Sequence, residues 1–160
     1  MTNIRVGMGY DIHRLKDNIP FILGGIRLDH FKGVEAHSDG DILFHALADA
    51  LLGAACLGDI GHFFPDTDLK YKNMDSSLIL SSVIQKLKDL SFIIINVDIT
   101  IVLEKPKLQF VLPDVKKSID KYLNIGSSNI NVKATTSEGM GFIGTEHGVA
   151  CYAVTLIEKI

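Results

Sequence analysis

The chain has 160 residues, a length that suits one domain, and a domain of this size buries about 70% of the surface that its unfolded chain exposes. Its net charge is −3 and its 16 Lys and Arg residues are scattered along the chain, so we expect no nucleic-acid partner. The two cysteines, Cys56 and Cys151, have apolar neighbours and indicate small core residues in a reducing compartment rather than a disulfide framework.

The start of the chain has no charged and apolar segments typical of a signal peptide. No apolar run approaches the roughly 18 residues of a membrane span. We therefore expect a soluble, cytoplasmic protein with no membrane partner, or an organellar stromal one if a presequence has been removed.

The first half of the chain predicts a strand, a hairpin and two helices. Residues 4–13 read as an opening strand, and residues 21–28 as a small peripheral hairpin with Gly-Gly as its turn. A helix is predicted from about Asp41, its N-cap, to Cys56, and a second from after Asp75 to about Leu90. Residues 59–68 between them read as a loop, because they are rich in turn residues and carboxylates.

The second half predicts three strands and one helix. Residues 92–104 alternate with period two, and the apolar row consists of Ile93, Ile95, Val97, Ile99, Ile101 and Leu103. Pro113 opens a third helix over residues 114–123, which Asn124 and Gly126 end. Residues 129–136 and 148–158 complete a sheet of about four long strands.

These elements predict an α/β (α+β) two-layer sandwich formed by one domain over residues 1–160. A mixed sheet of about four long strands carries three helices on one face. Too few helices remain to cover the other face, and the last strand has apolar residues on both sides. We therefore expect self-association.

A candidate metal site joins the first strand to the first helix. Asp11 and His13 are two apart and therefore point to the same face of the strand, and His45 lies one turn into the helix. One carboxylate and two imidazoles are ligands that zinc accepts, and three protein ligands leave a fourth position open for catalysis. Alternatively, Asp11 is a cap or ion-pair partner and the two histidines are ordinary core residues.

Two further patterns are less specific. Hydroxyls and backbone N–H groups in residues 133–139 can hold phosphate oxygens while Glu138 holds magnesium. Alternatively, the threonines are ordinary strand residues and Glu138 is a solvated turn residue. The G-x-G-x-x-G pattern at 139–144 does not indicate a dinucleotide site, because a strand-like segment follows where that fold needs a helix. Asp66-Thr67-Asp68 begins like a calcium loop, which Lys70 breaks.

Several long motifs in one order resemble the 2-C-methyl-D-erythritol 2,4-cyclodiphosphate synthase family over the whole chain. They are Gly9-Tyr10-Asp11-Ile12-His13, Ala36-His37-Ser38-Asp39-Gly40-Asp41, the segment 45–54, Leu57-Gly58-Asp59-Ile60-Gly61, Phe64-Pro65-Asp66-Thr67-Asp68 and Asn131-Val132-Lys133-Ala134-Thr135-Thr136.

The resemblance implies a homotrimer with active sites between adjacent subunits. It implies one Zn²⁺ per subunit, held by Asp11, His13 and His45, and a Mg²⁺ or Mn²⁺ tied to the protein through Glu138. The implied substrate is the cytidine diphosphate compound 4-diphosphocytidyl-2-C-methyl-D-erythritol 2-phosphate. Its 2-phosphate attacks the β-phosphorus intramolecularly, expels CMP and closes the cyclodiphosphate.

The resemblance also implies roles for individual residues. His37 and Thr136 stabilise the transition state, Ser38 and Asp59 help to hold the methylerythritol phosphate, and the adjacent subunit supplies the cytidine pocket. The implied substrate-binding residues are Asp11, His13, His37, Ser38, Asp59, Ile60, Gly61, Phe64, Pro65, Asp66, Thr67, Asp68, Leu103, Pro106, Lys107, Leu108, Gln109, Ala134, Thr135, Thr136, Ser137, Glu138 and Phe142.

One segment departs from the family pattern. Many relatives have Arg-x-Glu after Phe-x-Gly, at a threefold-axis cavity that can hold an isoprenoid diphosphate, whereas this chain has Thr145-Glu146-His147. We therefore do not expect feedback binding of that ligand.

Two alternative functions stay open from the sequence. A zinc-dependent phosphohydrolase would use the same three ligands to activate water. A trimeric binding protein would use the metal only to stabilise its structure, and would have a closed site with four ligands.

Overall fold

The structure is a computed structural model that describes residues 3–65, 71 and 74–160. Its elements in chain order are β1 (Ile4–Asp17), β2 (Phe21–Leu23), β3 (Ile26–Leu28), β4 (Lys32–Glu35), α1 (Ile42–Ala54), α2 (Ile60–Phe63), α3 (Ser76–Asp89), β5 (Phe92–Val102), α4 (Leu112–Leu123), β6 (Ile130–Thr135), α5 (Gly141–Gly144) and β7 (Gly148–Lys159). The three predicted long helices and the hairpin are confirmed as α1, α3, α4 and β2–β3.

Five strands form a mixed sheet in the order β4-β1-β7-β5-β6. Among these five described strands, β5 and β6 pair in parallel and the other neighbours pair antiparallel, while β2 and β3 form a separate antiparallel ribbon. Helix α1 packs against β1 and β7, while α3 contacts β5 and α4 contacts β6. The fold is therefore a mixed α+β arrangement, and the predicted sheet of about four strands has a fifth strand at its edge.

The ends of the helices follow the predicted local chemistry. Asp41 caps α1 by accepting a hydrogen bond from the backbone N–H of Phe44, and Asp75 caps α3 by accepting one from Ser77. Pro113 lies in the first turn of α4, and Asn124 ends that helix in the left-handed region at φ 52°. These caps explain why the helix boundaries could be predicted closely.

The structure corrects several predicted elements. The edge strand β4 was missed because it has only four residues, and it pairs with the last four residues of β1, which extend that strand beyond residue 13. Helix α2 lies inside the predicted loop, since Asp59 caps it by accepting a hydrogen bond from the N–H of His62. The short helix α5 inside the glycine pattern was not predicted, whereas the strand-like segment predicted to follow that pattern is confirmed as β7.

The alternation predicted for residues 92–104 is wrong at its start. The pairing register of β5 with β7 shifts between Ile94 and Asn96, and Ile93 is 40% exposed whereas Phe92 is buried. An extra residue in one strand reverses which side chains face the core. Beyond this bulge, Val97, Ile99, Ile101 and Leu103 are buried as predicted.

Two glycines of β1 allow α1 to approach the sheet closely. A Cβ atom at Gly9 would lie 1.9 Å from the backbone oxygen of Ala46, and one at Gly7 would lie 2.0 Å from that of Ala50. Any side chain at either position would displace the helix. Glycine here therefore sets the distance between β1 and the first turns of α1.

The opposite side of β1 and β7 is an apolar surface, which we call the open face: Ile4, Val6, Met8, Tyr10, Ile12, Tyr152 and Val154. These side chains are 40% to 67% exposed in the single chain. The predicted apolar residues on both sides of the last strand are confirmed. Every helix within the described ranges is too short or too polar to span a bilayer.

Candidate metal centre and adjoining cavities

Asp11, His13 and His45 converge as the sequence predicted. Their nearest ligand atoms all lie within 4.8 Å of one another. One carboxylate oxygen, Oδ2 of Asp11, lies 3.1 Å from Nε2 of His13 and 3.2 Å from Nδ1 of His45. The three side chains are therefore close enough to bind one ion after small adjustments.

The fold explains this convergence. Asp11 and His13 continue the row of Gly7 and Gly9 on the face of β1 that α1 covers. His45 lies in the first turn of α1, next to Ala46, whose backbone oxygen a side chain at position 9 would strike. The close approach that the glycines permit thus brings an imidazole from the helix to the carboxylate on the strand.

The electrostatics of the cluster favour an ionised Asp11. Burial raises the pKa of this carboxyl group, but hydrogen bonds from His13 and His45 outweigh it and lower the pKa to about 2. The hydrogen bond to Asp11 raises the pKa of His13 in turn, against the effect of burial. The carboxylate therefore carries a negative charge for a cation to neutralise.

The second ring nitrogens of both histidines have partners outside the cluster. Nδ1 of His13 lies 3.2 Å from the backbone oxygen of Glu35, and a carbonyl oxygen can only accept. Nδ1 of His13 therefore carries a hydrogen, and Nε2 is the nitrogen that faces the candidate metal position. Nε2 of His45 lies 2.9 Å from Oγ of Ser76, a buried residue that the sequence did not indicate.

The donor set fits zinc. Two imidazoles and one carboxylate are typical ligands of catalytic zinc, and a three-ligand centre leaves a coordination position for substrate. The contacts of His13 with Glu35 and of His45 with Ser76 fix the orientation of both rings, an arrangement that is common in zinc sites.

A cavity of about 430 Å³ opens beside this cluster. It is lined by Asp11, His13, Ala36, His37, Ser38, His45, Ile60, Gly61, Phe64, Pro65, Tyr71 and Ile79. The structure thus brings six further predicted site residues to the metal ligands: His37, Ser38, Ile60, Gly61, Phe64 and Pro65. Among the described atoms, Nε2 of His37 is buried without a hydrogen-bond partner, which suits a group that binds a ligand.

The segment 59–65 is tied to α1 beside the cavity. The carboxylate of Asp49 accepts a hydrogen bond of 2.7 Å from the backbone N–H of Ile60. Asp59 is exposed, caps α2 and does not line the cavity. The predicted contacts of Asp66, Thr67 and Asp68 lie outside the described residues.

A second cavity, of about 480 Å³, lies where β5 and β6 end. It is lined by Leu103, Pro106, Lys107, Leu108, Gln109, Leu112, Val132, Lys133, Ala134, Thr135 and Thr136. The residues predicted for the cytidine pocket therefore share one cavity. Among the described residues, none lines both this cavity and the one at the metal cluster.

Thr136, Ser137 and Glu138 form a turn after β6. Oγ1 of Thr136 donates a 3.0 Å hydrogen bond to Oε1 of Glu138, and the N–H of Ser137 donates one to Glu104. Glu138 is exposed at φ 53° and lies outside the three-residue metal cluster. Phe142 is 50% exposed in α5 and also does not line the metal cavity.

The segment that departs from the family pattern has its own contacts. Nδ1 of His147 lies 2.9 Å from the hydroxyl of Thr145, and Glu146 pairs with Lys105 at 2.9 Å.

Comparison with known proteins agrees with the motifs. A curated relative from Clostridium botulinum (strain Hall), named 2-C-methyl-D-erythritol 2,4-cyclodiphosphate synthase, is 46% identical over 155 residues, which cover 97% of this chain and 100% of the relative.

Two solved structures have the same fold. The bifunctional IspDF of Campylobacter jejuni matches with a TM-score of 0.96 and 40% identity over 100% of this chain, which spans 43% of that longer protein. The IspF of Plasmodium falciparum in complex with CDP matches with a TM-score of 0.87 and 34% identity, covering 98% of this chain and 97% of the other. The model of the YgbB family matches residues 4–158. With its motifs, fold and nearly full-length relatives in agreement, the chain belongs to the YgbB family.

Proposed function

We propose that this chain converts 4-diphosphocytidyl-2-C-methyl-D-erythritol 2-phosphate to 2-C-methyl-D-erythritol 2,4-cyclodiphosphate and CMP. The cluster of Asp11, His13 and His45 on the wall of a cavity carries this proposal, together with relatives that are named for the reaction. The enzyme class is a phosphorus-oxygen lyase of the non-mevalonate isoprenoid pathway.

In this reaction an oxygen of the 2-phosphate forms a bond to the β-phosphorus, and the bond from that phosphorus to the CMP oxygen breaks. The nucleophile belongs to the substrate, so the chain needs no nucleophilic side chain of its own. Its task is to fold the substrate and to stabilise negative charge in the transition state.

The metal ligands follow from the donor types. We assign Zn²⁺ to Asp11, His13 and His45, and Mg²⁺ or Mn²⁺ to Glu138, since oxygen ligands suit the harder ions. Bound there, the two cations supply Lewis-acid polarisation and neutralise the charge of the diphosphate.

The chain's own residues hold the two ends of the substrate. His37 and Ser38, which line the metal cavity, bind the methylerythritol phosphate end, and Ile60 and Gly61 line the same space. The cavity formed by residues 103–109 and 132–136 binds the cytidine end. Thr136 lies at the rim of that cavity and, with His37, stabilises the developing charge.

We further propose a homotrimer in which adjacent subunits complete each active site. Two observations on the described part of the chain support it: the apolar row of the open face is 40% to 67% exposed, and the two cavities have no lining residue in common. The cytidine cavity of one subunit would then lie beside the metal cavity of the next, bringing Glu138 and Thr136 to the diphosphate.

Phosphorus NMR of the purified protein with the substrate, zinc and magnesium tests the reaction. We expect a cyclic diphosphate and an equal amount of CMP. CMP with open-chain phosphates would instead indicate the phosphohydrolase. Binding without turnover would contradict both enzymatic readings and favour a metal-stabilised binding protein.

A further inference from the structure

We propose that Ser76 and Asp39 form a hydrogen-bonded relay that holds His45 in the tautomer whose Nδ1 binds the metal. The relay deepens the proposed function and rests on its zinc site. Neither residue contacts the metal position, so both are positioning residues that act through His45.

The carboxylate of Asp39 is fixed as an acceptor. The backbone N–H of Ser76 donates to its Oδ2 at 3.2 Å, and the N–H of Asp41 donates to its Oδ1 at 3.2 Å. Asp39 is itself held in place because its own N–H donates to the backbone oxygen of Met74 at 3.1 Å. With N–H donors at both oxygens, this side chain can only accept from a neighbouring hydroxyl.

The hydroxyl of Ser76 therefore has a defined direction. It contacts Oδ1 of Asp39 and must donate its single hydrogen there. Only the lone pairs of Oγ remain for Nε2 of His45, which lies 2.9 Å away. Nε2 must then be the donor in this contact and carry the hydrogen.

A neutral imidazole with its hydrogen on Nε2 has its lone pair on Nδ1. Nδ1 of His45 is the nitrogen that lies 3.2 Å from Oδ2 of Asp11, inside the metal cluster. The relay thus selects the tautomer that the metal site requires. In His13 the backbone oxygen of Glu35 has the corresponding role, because it accepts from Nδ1 and so directs Nε2 to the metal position.

Burial makes the relay hard to replace by water. Ser76 is fully buried at the first position of α3, and His45 is 8% exposed. The hydroxyl of Ser38 also lies 3.2 Å from Nε2 and accepts from the N–H of Gly40, but it can rotate to donate or to accept. Ser38 therefore does not determine the tautomer, whereas Ser76 does.

The test is the zinc dissociation constant of the purified full-length chain, measured without substrate by competition with a chelator. We expect Ser76→Ala to bind zinc about 10-fold to 100-fold more weakly, which is the usual effect of removing a group that orients a ligand. Ser77→Ala is the matched control, because it removes a hydroxyl at the next position of α3 and should change the constant by no more than about twofold.

A second variant, Asp39→Ala, decides the question if Ser76→Ala does not fold. It removes the oxygen that accepts from the hydroxyl of Ser76, so this hydroxyl can turn and donate to Nε2 of His45. We expect a loss of zinc affinity of about 10-fold to 100-fold in this variant also.

The imidazole hydrogen gives a direct readout. In the zinc-loaded wild type, we expect NMR to detect a hydrogen on Nε2 of His45 that exchanges slowly with water, and we expect faster exchange in Ser76→Ala. Folded variants that bind zinc as tightly as the wild type, or a wild-type His45 without hydrogen on Nε2, would overturn the relay. A wild type that binds no zinc would instead contradict the metal site of the proposed function.

Discussion

The two faces of strand β1 differ in what they can tolerate. The face under α1 has Gly7 and Gly9, followed by Asp11 and His13. A single carbon added at either glycine would lie about 2 Å from a backbone oxygen of the helix. The other face has a row of large apolar side chains, with Val6 67% and Met8 65% exposed.

This difference shows that one strand serves two separate purposes. On the helix side, small residues bring α1 close enough for His45 to join the strand's ligands. On the open face, large residues expose apolar area that the proposed partner subunit would remove from water. Substitutions on the first face should therefore change folding or metal binding, and substitutions on the second should change assembly.

The largest expected effect is the loss of the metal on the helix-covered face. His45→Ala should remove stoichiometric zinc and lower kcat by about 10³-fold, since Lewis-acid stabilisation is worth several kcal/mol and about 4 kcal/mol corresponds to that factor. Metal analysis and the synthase assay measure both changes. His62→Ala, at an exposed histidine of α2, should retain its zinc; zinc retained by His45→Ala would contradict the ligand assignment.

Gly9→Ala tests the close approach on the same face. We expect the free energy of unfolding to fall by about 3 kcal/mol, because the new methyl group would strike the backbone of α1. Urea denaturation measures the change. The control is Gly53→Ala inside α1, where the nearest described neighbour of the new carbon outside that helix is the backbone oxygen of Met8, 3.9 Å away. There the higher helix propensity of alanine should raise the free energy of unfolding by about 0.5–1 kcal/mol. Equal stabilities of the two variants would refute this view of the face.

Val6→Asp tests the open face. A charge in the apolar row should dissociate the assembly, because burying it between subunits would require desolvation without a partner. Light scattering should give a mass of one chain where the wild type gives three, while circular dichroism keeps its shape. Ser81→Asp adds the same charge to an exposed position of α3 and should leave the mass unchanged. A trimeric Val6→Asp variant would exclude this face as the interface.

The smallest expected effect concerns a polar pair on β5 and β6, on the same side of the sheet as the open face. Asp98 and Lys133 form an ion pair with side chains 44% and 49% exposed in the single chain. In the dissociated Val6→Asp variant, we expect a double-mutant cycle with Asp98→Asn and Lys133→Gln to give a coupling energy of about 0–1 kcal/mol in the free energy of unfolding, measured by urea denaturation. A much larger coupling would mean that the pair is already desolvated without the partner subunit.

Much of the candidate site could be predicted from local periodicity. Asp11 and His13 share a face because a strand alternates with period two, and His45 follows an Asp that caps its helix. The same local patterns predicted α1, α3, α4 and the buried rows of β5 and β7 beyond the bulge. The resemblance to a known family then supplied residues 103–109 and 134–136, which line one cavity in the structure.

Other features depend on contacts between distant segments. The edge strand β4 exists because it pairs with the end of β1, and the bulge in β5 arises from its pairing with β7. Ser76 meets His45 across 31 positions of the chain, and nothing in the residues around Ser76 marks it as a partner of a metal ligand.

The sequence by itself determined the positions of the three long helices, the two faces of β1 and β7 and the shared face of Asp11 and His13, because those depend on spacing within one element. Only the tertiary structure decided the distance between α1 and β1, the separation of the two cavities and the direction of the hydrogen bonds that end at His45. These features require the packing of elements that are far apart in the chain, where a shift of one residue or one carbon atom changes which groups meet.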